Sequence, residues 1–139
     1  MSVTRVPAAL RGSVRLRAHA RCEYCGIHED DAFEAHEPDH VIAEQHGGRT
    51  SADNLAFSCW ECNRRKGPNI SSIDPESGEI TRLFNPRLDQ WELHFYLDGL
   101  RVLGRTAIGR ATVALLRFNS AENLAVREAL HKIGRYPSL

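Results

Sequence analysis

No stretch of this 139-residue chain approaches the ~20 apolar residues of a membrane span, and no apolar run near its start resembles a signal peptide. The expected location is therefore the cytoplasm, with no membrane partner. Net charge is missing too, since 18 Lys and Arg balance 18 Asp and Glu. That balance argues against a simple polycationic nucleic-acid binder. It leaves room for a local phosphate-binding face, because the charges are unevenly placed. Arg5, Arg11, Arg15, Arg17 and Arg21 make the first segment basic. Glu29, Asp30, Asp31, Glu34, Glu37, Asp39 and Glu44 make the next one acidic, and Arg64, Arg65 and Lys66 form a second basic cluster. Internal repeats and low-complexity tracts are absent, and the composition is that of a globular chain rather than a disordered one. The length suits a single domain over residues 1–139.

Cysteine is scarce, yet all four residues fall into C-x-x-C pairs, Cys22/Cys25 and Cys59/Cys62. In a reducing compartment this spacing favours a metal over disulfides. Four thiolates around one Zn²⁺ make a closed tetrahedral site, hence a structural one. Gly26 relieves the backbone after the second ligand. Residues 26–58 separate the pairs, so the insert between them must fold back on itself, and it carries most of the polar residues of interest.

Residues 1–6 read as an unstructured tail. Pro7 opens a helix expected over Ala8–Ala20, with Leu10, Val14 and Ala18 as its apolar stripe. Its arginines read as a solvated face, with phosphate contact as the alternative. A strand is expected over Ala32–Glu37, anchored by Phe33, and a β segment over Asp39–Ile42. Gly47-Gly48 and the polar turn Thr50–Asn54 follow. Asn63–Lys66 reads as a short helix ended by Gly67-Pro68. Beyond it, Asn69–Gly78 is turn-rich and Ile80–Phe84 a strand. A hairpin spans Trp91–Leu103 around Asp98-Gly99. Helices are expected over Thr106–Phe118 and from an Asn119–Glu122 capping box to Ile133. Leu124, Val126, Ala129, Leu130 and Ile133 would form the apolar side of the last. His28, His36 and His94 read as hydrogen-bonded or structural, and Trp60, Trp91 and Phe95 as packing residues.

Asp39-His40-Val41, His46-Gly47-Gly48, Asn54-Leu55 and Cys59-x-x-Cys62-Asn63-Arg64-Arg65-Lys66 together resemble the HNH endonuclease pattern over about residues 20–68. The flanks around residues 84–95 resemble those of small stand-alone bacterial HNH proteins. The resemblance implies an α+β protein: a zinc-braced ββα-metal core with an N-terminal helix, and a C-terminal extension (69–139) of β-hairpin plus helices. It also implies roles. Asp39 and Asn63 would hold one catalytic divalent ion, His40 would be the general base, and Asn54 would orient the His40 loop or ring. Oxygen ligands suit Mg²⁺ or Mn²⁺. The implied substrate is DNA, double-stranded, with His46 and Lys66 as candidate phosphate contacts.

Plainer readings exist for each residue. Asp39 and His40 can form a structural pair, Asn54 can serve a turn, Asn63 a helix cap, and Lys66 can be solvated. The whole is then an inert zinc-ribbon module binding nucleic acid or protein; a redox protein using its C-x-x-C pairs is the other alternative. One geometric condition applies. Neighbours on a regular strand point to opposite faces, so Asp39 and His40 can share a site only if the strand ends or bulges there.

Overall fold

The computed structural model describes residues 4–137. It is a mixed α+β fold in which each sheet is a single antiparallel hairpin. The chain divides into two compact units. One runs to Ile70 and includes Asn85–Asp89; the other is Ser71–Phe84 with the chain from Gln90 onward.

In the first unit, helix α1 (Ala8–Arg17) is preceded by Pro7, whose φ of −57° is already helical. Val14 is buried, and Leu10 and Ala18 pack beside it against Val6, Leu55 and Phe57. The expected stripe is therefore the packed face. The helix stops at Arg17 rather than Ala20, because His19 and Ala20 take positive φ values of 55° and 59°. Of the expected tail, residues 1–3 lie outside the described residues; Thr4 and Arg5 are exposed, but Val6 is buried in this core. The α1 arginines are spent on the protein itself. Arg11 pairs with Glu37 and Arg15 with Glu29, while Arg17 donates to the Ala52 and Leu55 carbonyls.

Strand β1 (Glu37–His40) pairs with β2 (Leu55–Ser58), and helix α2 (Trp60–Lys66) follows at once. The strand expected over Ala32–Glu37 does not form. Phe33 is fully exposed and anchors nothing, since the acidic run around it has no partner strand. The two strands thus flank the polar loop instead of preceding it.

In the second unit, β3 (Ser71–Ile73) pairs with β4 (Ile80–Arg82), and β5 (Phe95–Asp98) with β6 (Arg101–Gly104). Strand β3 lies in the stretch read as turns. Trp91–His94 forms a helical turn, α3, where the hairpin was expected to begin. Helices α4 (Ala107–Leu116) and α5 (Ala121–Lys132) are capped by Thr106 and Ser120. The α5 cap is thus Ser120 and not Asn119, which instead brackets the Val102 backbone. The core includes Phe84, Phe95 and Phe118, with ring centroids 5.1 and 5.7 Å apart in sequence, and Trp91 stacks 5.0 Å from Phe95. Val126, Ala129 and Ile133 are exposed on α5, whereas Arg127 is buried. Its guanidinium donates to the Leu100 and Phe118 carbonyls and to Asn119 Oδ1, three acceptors that no apolar side chain would satisfy.

Asp74 organises the β3–β4 turn. Its buried carboxylate accepts Arg110 Nε and Nη2 at 2.9 and 2.8 Å, Ser77 Oγ at 2.8 Å and Glu76 N–H at 3.0 Å. The Arg110 guanidinium holds it well below the usual carboxylate range despite its burial. A carboxylate whose folded pKa is depressed contributes stability above its unfolded pKa of ~4 and loses it as pH falls toward the folded value. Asp74→Asn is therefore expected to lower the melting midpoint at pH 7. The gap to wild type should close as the pH approaches 2. Melting curves across that range check it, and a gap independent of pH would show that the charge contributes nothing.

Candidate active site

Cys22, Cys25, Cys59 and Cys62 come together although residues 26–58 separate the pairs. Their sulfurs all lie within 4.8 Å of one another, and Cys25 Sγ is 3.8 Å from Cys59 Sγ. A tetrahedral site with Zn–S bonds of ~2.3 Å requires sulfurs about 3.8 Å apart. The backbone N–H groups of Cys25 and Cys62 each point at the preceding ligand sulfur, at 3.4 Å. None of the four is in a disulfide. Burial pushes Cys22 up, but hydrogen bonds from Cys25, Cys59 and Cys62 outweigh it and hold it well below the usual thiol range. Cys59 and Cys62 are driven the other way by hydrogen bonding to Cys22 and Cys25. This set is consistent with a structural zinc, whose charge would let all four ionise together.

Asp39 and His40 end strand β1, in plain register opposite Ala56 and Leu55, with no bulge. Both are buried, at 5% and 6% exposure. They find different partners. Asp39 Oδ2 accepts the Tyr24 hydroxyl at 2.8 Å and lies 3.1 Å from Lys66 Nζ. His40 Nε2 is 2.8 Å from Thr50 Oγ1, which itself donates to Glu44 Oε1 at 3.2 Å. Both residues are among those lining one cleft of about 720 Å³. Glu44 and Asn63 line it too, with Trp60 and Arg64 on α2.

The cleft thus sits on a β-hairpin and helix braced by the cysteines, and the stretch from Cys22 onward matches a family model described as HNH endonuclease, over residues 22–69. Over this stretch the chain is similar to HNH endonucleases. The match stops at the edge of the first unit, beside Ile70. No curated protein and no solved structure matches the chain. No helix among the described residues is long and apolar enough to cross a membrane.

Within the HNH-like stretch, Asn54 closes the loop that follows His40. Its Oδ1 accepts the Ile42 N–H at 3.0 Å, and its Nδ2 donates to the Ile42 and Arg49 carbonyls at 3.0 and 2.8 Å. Asn54 therefore holds the loop backbone and makes no bond to the His40 ring. Gly48 is part of the same lock, because a Cβ there would sit 1.7 Å from the Ile42 oxygen and 2.8 Å from Asn54 Nδ2. The Asn63 side chain makes no hydrogen bond among the described residues, and the α2 cap is Cys59 rather than Asn63.

His46 is exposed on the loop and is not among the residues lining the cleft. Lys66 is not solvated. At 1% exposure its ammonium bridges Asp39 Oδ2 and the His40 carbonyl, both at 3.1 Å. Burial pushes the Asp39 carboxyl up, and the Lys66 charge and Tyr24 hydroxyl oppose that. Burial and the neighbouring Asp39 keep the Tyr24 phenol protonated, so it is the donor of the pair.

Three participants escaped the sequence reading. Tyr24 lies between the first two cysteines, and only that placement of a polar aromatic hinted at a role. Glu44 stands four residues after His40, and Thr50 next to Gly48-Arg49 carried no signal. Trp60 was read as a packing residue but is 44% exposed, with the Arg64 guanidinium 4.6 Å from its ring centroid. His36 is buried as a hydrogen-bonded histidine, its Nε2 on the Ile27 carbonyl at 3.0 Å.

Proposed function

We propose that this protein is a metal-dependent endonuclease that hydrolyses phosphodiester bonds of double-stranded DNA at the Asp39–His40 cleft. The observation carrying this reading is the asymmetry of the His40 ring. Thr50 spends its hydroxyl proton on Glu44, so it can only accept from His40 Nε2–H. The neutral ring then carries its lone pair on Nδ1, which makes no bond among the described residues. That is the tautomer a general base requires, oriented by a second group as catalytic histidines are.

The ligand chemistry fits a hard ion. Among the described residues Asp39 offers a carboxylate oxygen without a hydrogen bond and Asn63 an unengaged amide, and both residues line the cleft. Asp39 and Asn63 would hold a divalent ion such as Mg²⁺ or Mn²⁺, which would supply charge neutralisation at the phosphate and the leaving oxygen. His40 takes the proton of the attacking water at Nδ1. Asn54 keeps the loop carrying Glu44 and Thr50 in place, and through them the ring. Lys66, buried against Asp39, adds a fixed positive charge there and not a phosphate contact, and His46 on the exposed loop is the remaining phosphate-side candidate. The four cysteines hold structural Zn²⁺ and stay out of the chemistry.

The test is conversion of supercoiled plasmid to nicked or linear form by zinc-loaded protein. Cleavage is expected with Mg²⁺ or Mn²⁺ and none with EDTA. Zinc-loaded protein that cuts no plasmid, linear or single-stranded DNA with any of these ions would replace the nuclease by a zinc-ribbon binding module.

A further inference from the structure

Asp39 is held from one side only. Tyr24 and Lys66 both reach Oδ2, at 2.8 and 3.1 Å, and Oδ1 has no hydrogen bond among the described residues. Among the described residues the buried side-chain atom left without a partner is His36 Nδ1, so Asp39 Oδ1, which lacks a hydrogen bond, is open to solvent. Here the second oxygen belongs to a residue on the cleft wall beside Asn63. Oδ2 is engaged and Oδ1 is left to present.

Tyr24 is suited to this in a way Lys66 is not. A phenol fixes a carboxylate without adding positive charge, whereas an ammonium also repels the ion that the carboxylate is to bind. The Tyr24 side chain is 1% exposed. Its backbone is fixed on both sides by Cys22 and Cys25, whose own turn is closed by the Cys25 N–H to Cys22 Sγ bond. One residue thereby touches the cysteine cluster through its backbone and the candidate ion ligand through its hydroxyl.

We propose that Tyr24 is a positioning residue for the catalytic ion: by occupying Oδ2 of Asp39 it leaves Oδ1 to bind the ion, and from its place between Cys22 and Cys25 it makes that presentation depend on the cysteine metal. This rests on the reading of Asp39 as an ion ligand. It predicts that the cysteine metal contributes to ion affinity as well as to folding. Hydrogen-bond partners of metal ligands typically change metal affinity by about 10- to 100-fold when removed.

The experiment measures Mn²⁺ binding by electron paramagnetic resonance on zinc-loaded wild type, Asp39→Ala and Tyr24→Phe. Wild type is expected to bind an ion that Asp39→Ala does not. Tyr24→Phe should keep its zinc and bind Mn²⁺ about 10- to 100-fold more weakly. A purely structural Tyr24 would lower the melting midpoint of Tyr24→Phe and leave the Mn²⁺ dissociation constant unchanged, and that result overturns the proposal alone. Absence of any Asp39-dependent Mn²⁺ site in wild type overturns the proposal together with the reading beneath it. A second measurement needs no variant. Mg²⁺ titration of isotopically labelled wild type is expected to shift the Tyr24 ring resonances as Asp39 binds the ion; an ion that binds without moving them overturns the proposal, even if Tyr24→Phe fails to retain zinc.

Discussion

Zinc-loaded His40→Ala is expected to lose about 10²- to 10⁴-fold of the cleavage rate, the usual contribution of a positioned general base. The loss should fall on the rate and not on the fold. What β1 takes from position 40 is backbone: the pairing with Leu55 and the carbonyl that accepts from Lys66. Neither needs the ring. The ring's own partners, Thr50 and Glu44, are already joined to each other at 3.2 Å and remain so in the variant. Zinc content and melting midpoint should therefore stay close to wild type, which separates a catalytic loss from a folding one. Single-turnover cleavage at saturating Mg²⁺ is the measurement. Equal rates in the two proteins would take the base away from His40. A rate that falls in step with zinc content would place the effect in folding.

The same residues show what could be read from the chain. C-x-x-C spacing survives translation into structure because two residues fix the geometry of each knuckle locally. The Leu10–Val14–Ala18 stripe and the Thr106 and Gly67 boundaries are local as well, and the structure has them close to the expected positions. The misreadings are long-range. Phe33 looked like a strand anchor, but strands need partners, and the partner of β1 is Leu55–Ser58. Lys66 read as a phosphate contact or a solvated side chain, and it is neither. Only the fold brings it to an Asp far back in the chain, where the charge makes burial tolerable. The α5 side expected to be apolar leaves Val126, Ala129 and Ile133 exposed, and it is Arg127 that is buried, held by three carbonyl and amide oxygens that no periodicity encodes. The Asp39–His40 pair is of the same kind: strand alternation alone sets the two apart, and pairing carries β1 through His40 without a bulge, yet both residues line the one cleft.

Cys62→Ser is expected to abolish zinc retention and with it the folded state of residues 22–69, a larger effect than any change within the cleft. The local inventory explains why. Strands β1 and β2 have four residues each and form a two-stranded sheet, and α2 has seven. An isolated hairpin is marginal in water, and a helix of that length does not stand alone. The apolar cluster beneath them is Val6, Val14, Leu55 and Phe57. Structural zinc in small modules contributes about 10–16 kcal/mol at neutral pH, which exceeds what such a core supplies. Serine cannot replace the lost ligand, and the backbone at Cys62 donates to the Cys59 sulfur, so the knuckle loosens at the first turn of α2. Hydrogen exchange should show protection lost across β1, β2 and α2 while Phe95–Leu116 in the other unit stays protected. The two proposed metals would then differ in a measurable way. Chelating only the weakly held catalytic ion should stop cleavage and leave exchange protection intact, with activity restored by Mg²⁺. A thiol-competitive chelator that strips the cysteine site should remove both, and Mg²⁺ alone should restore neither. A zinc-free protein that keeps β1, β2 and α2 protected would mean that the cysteines do not brace this fold.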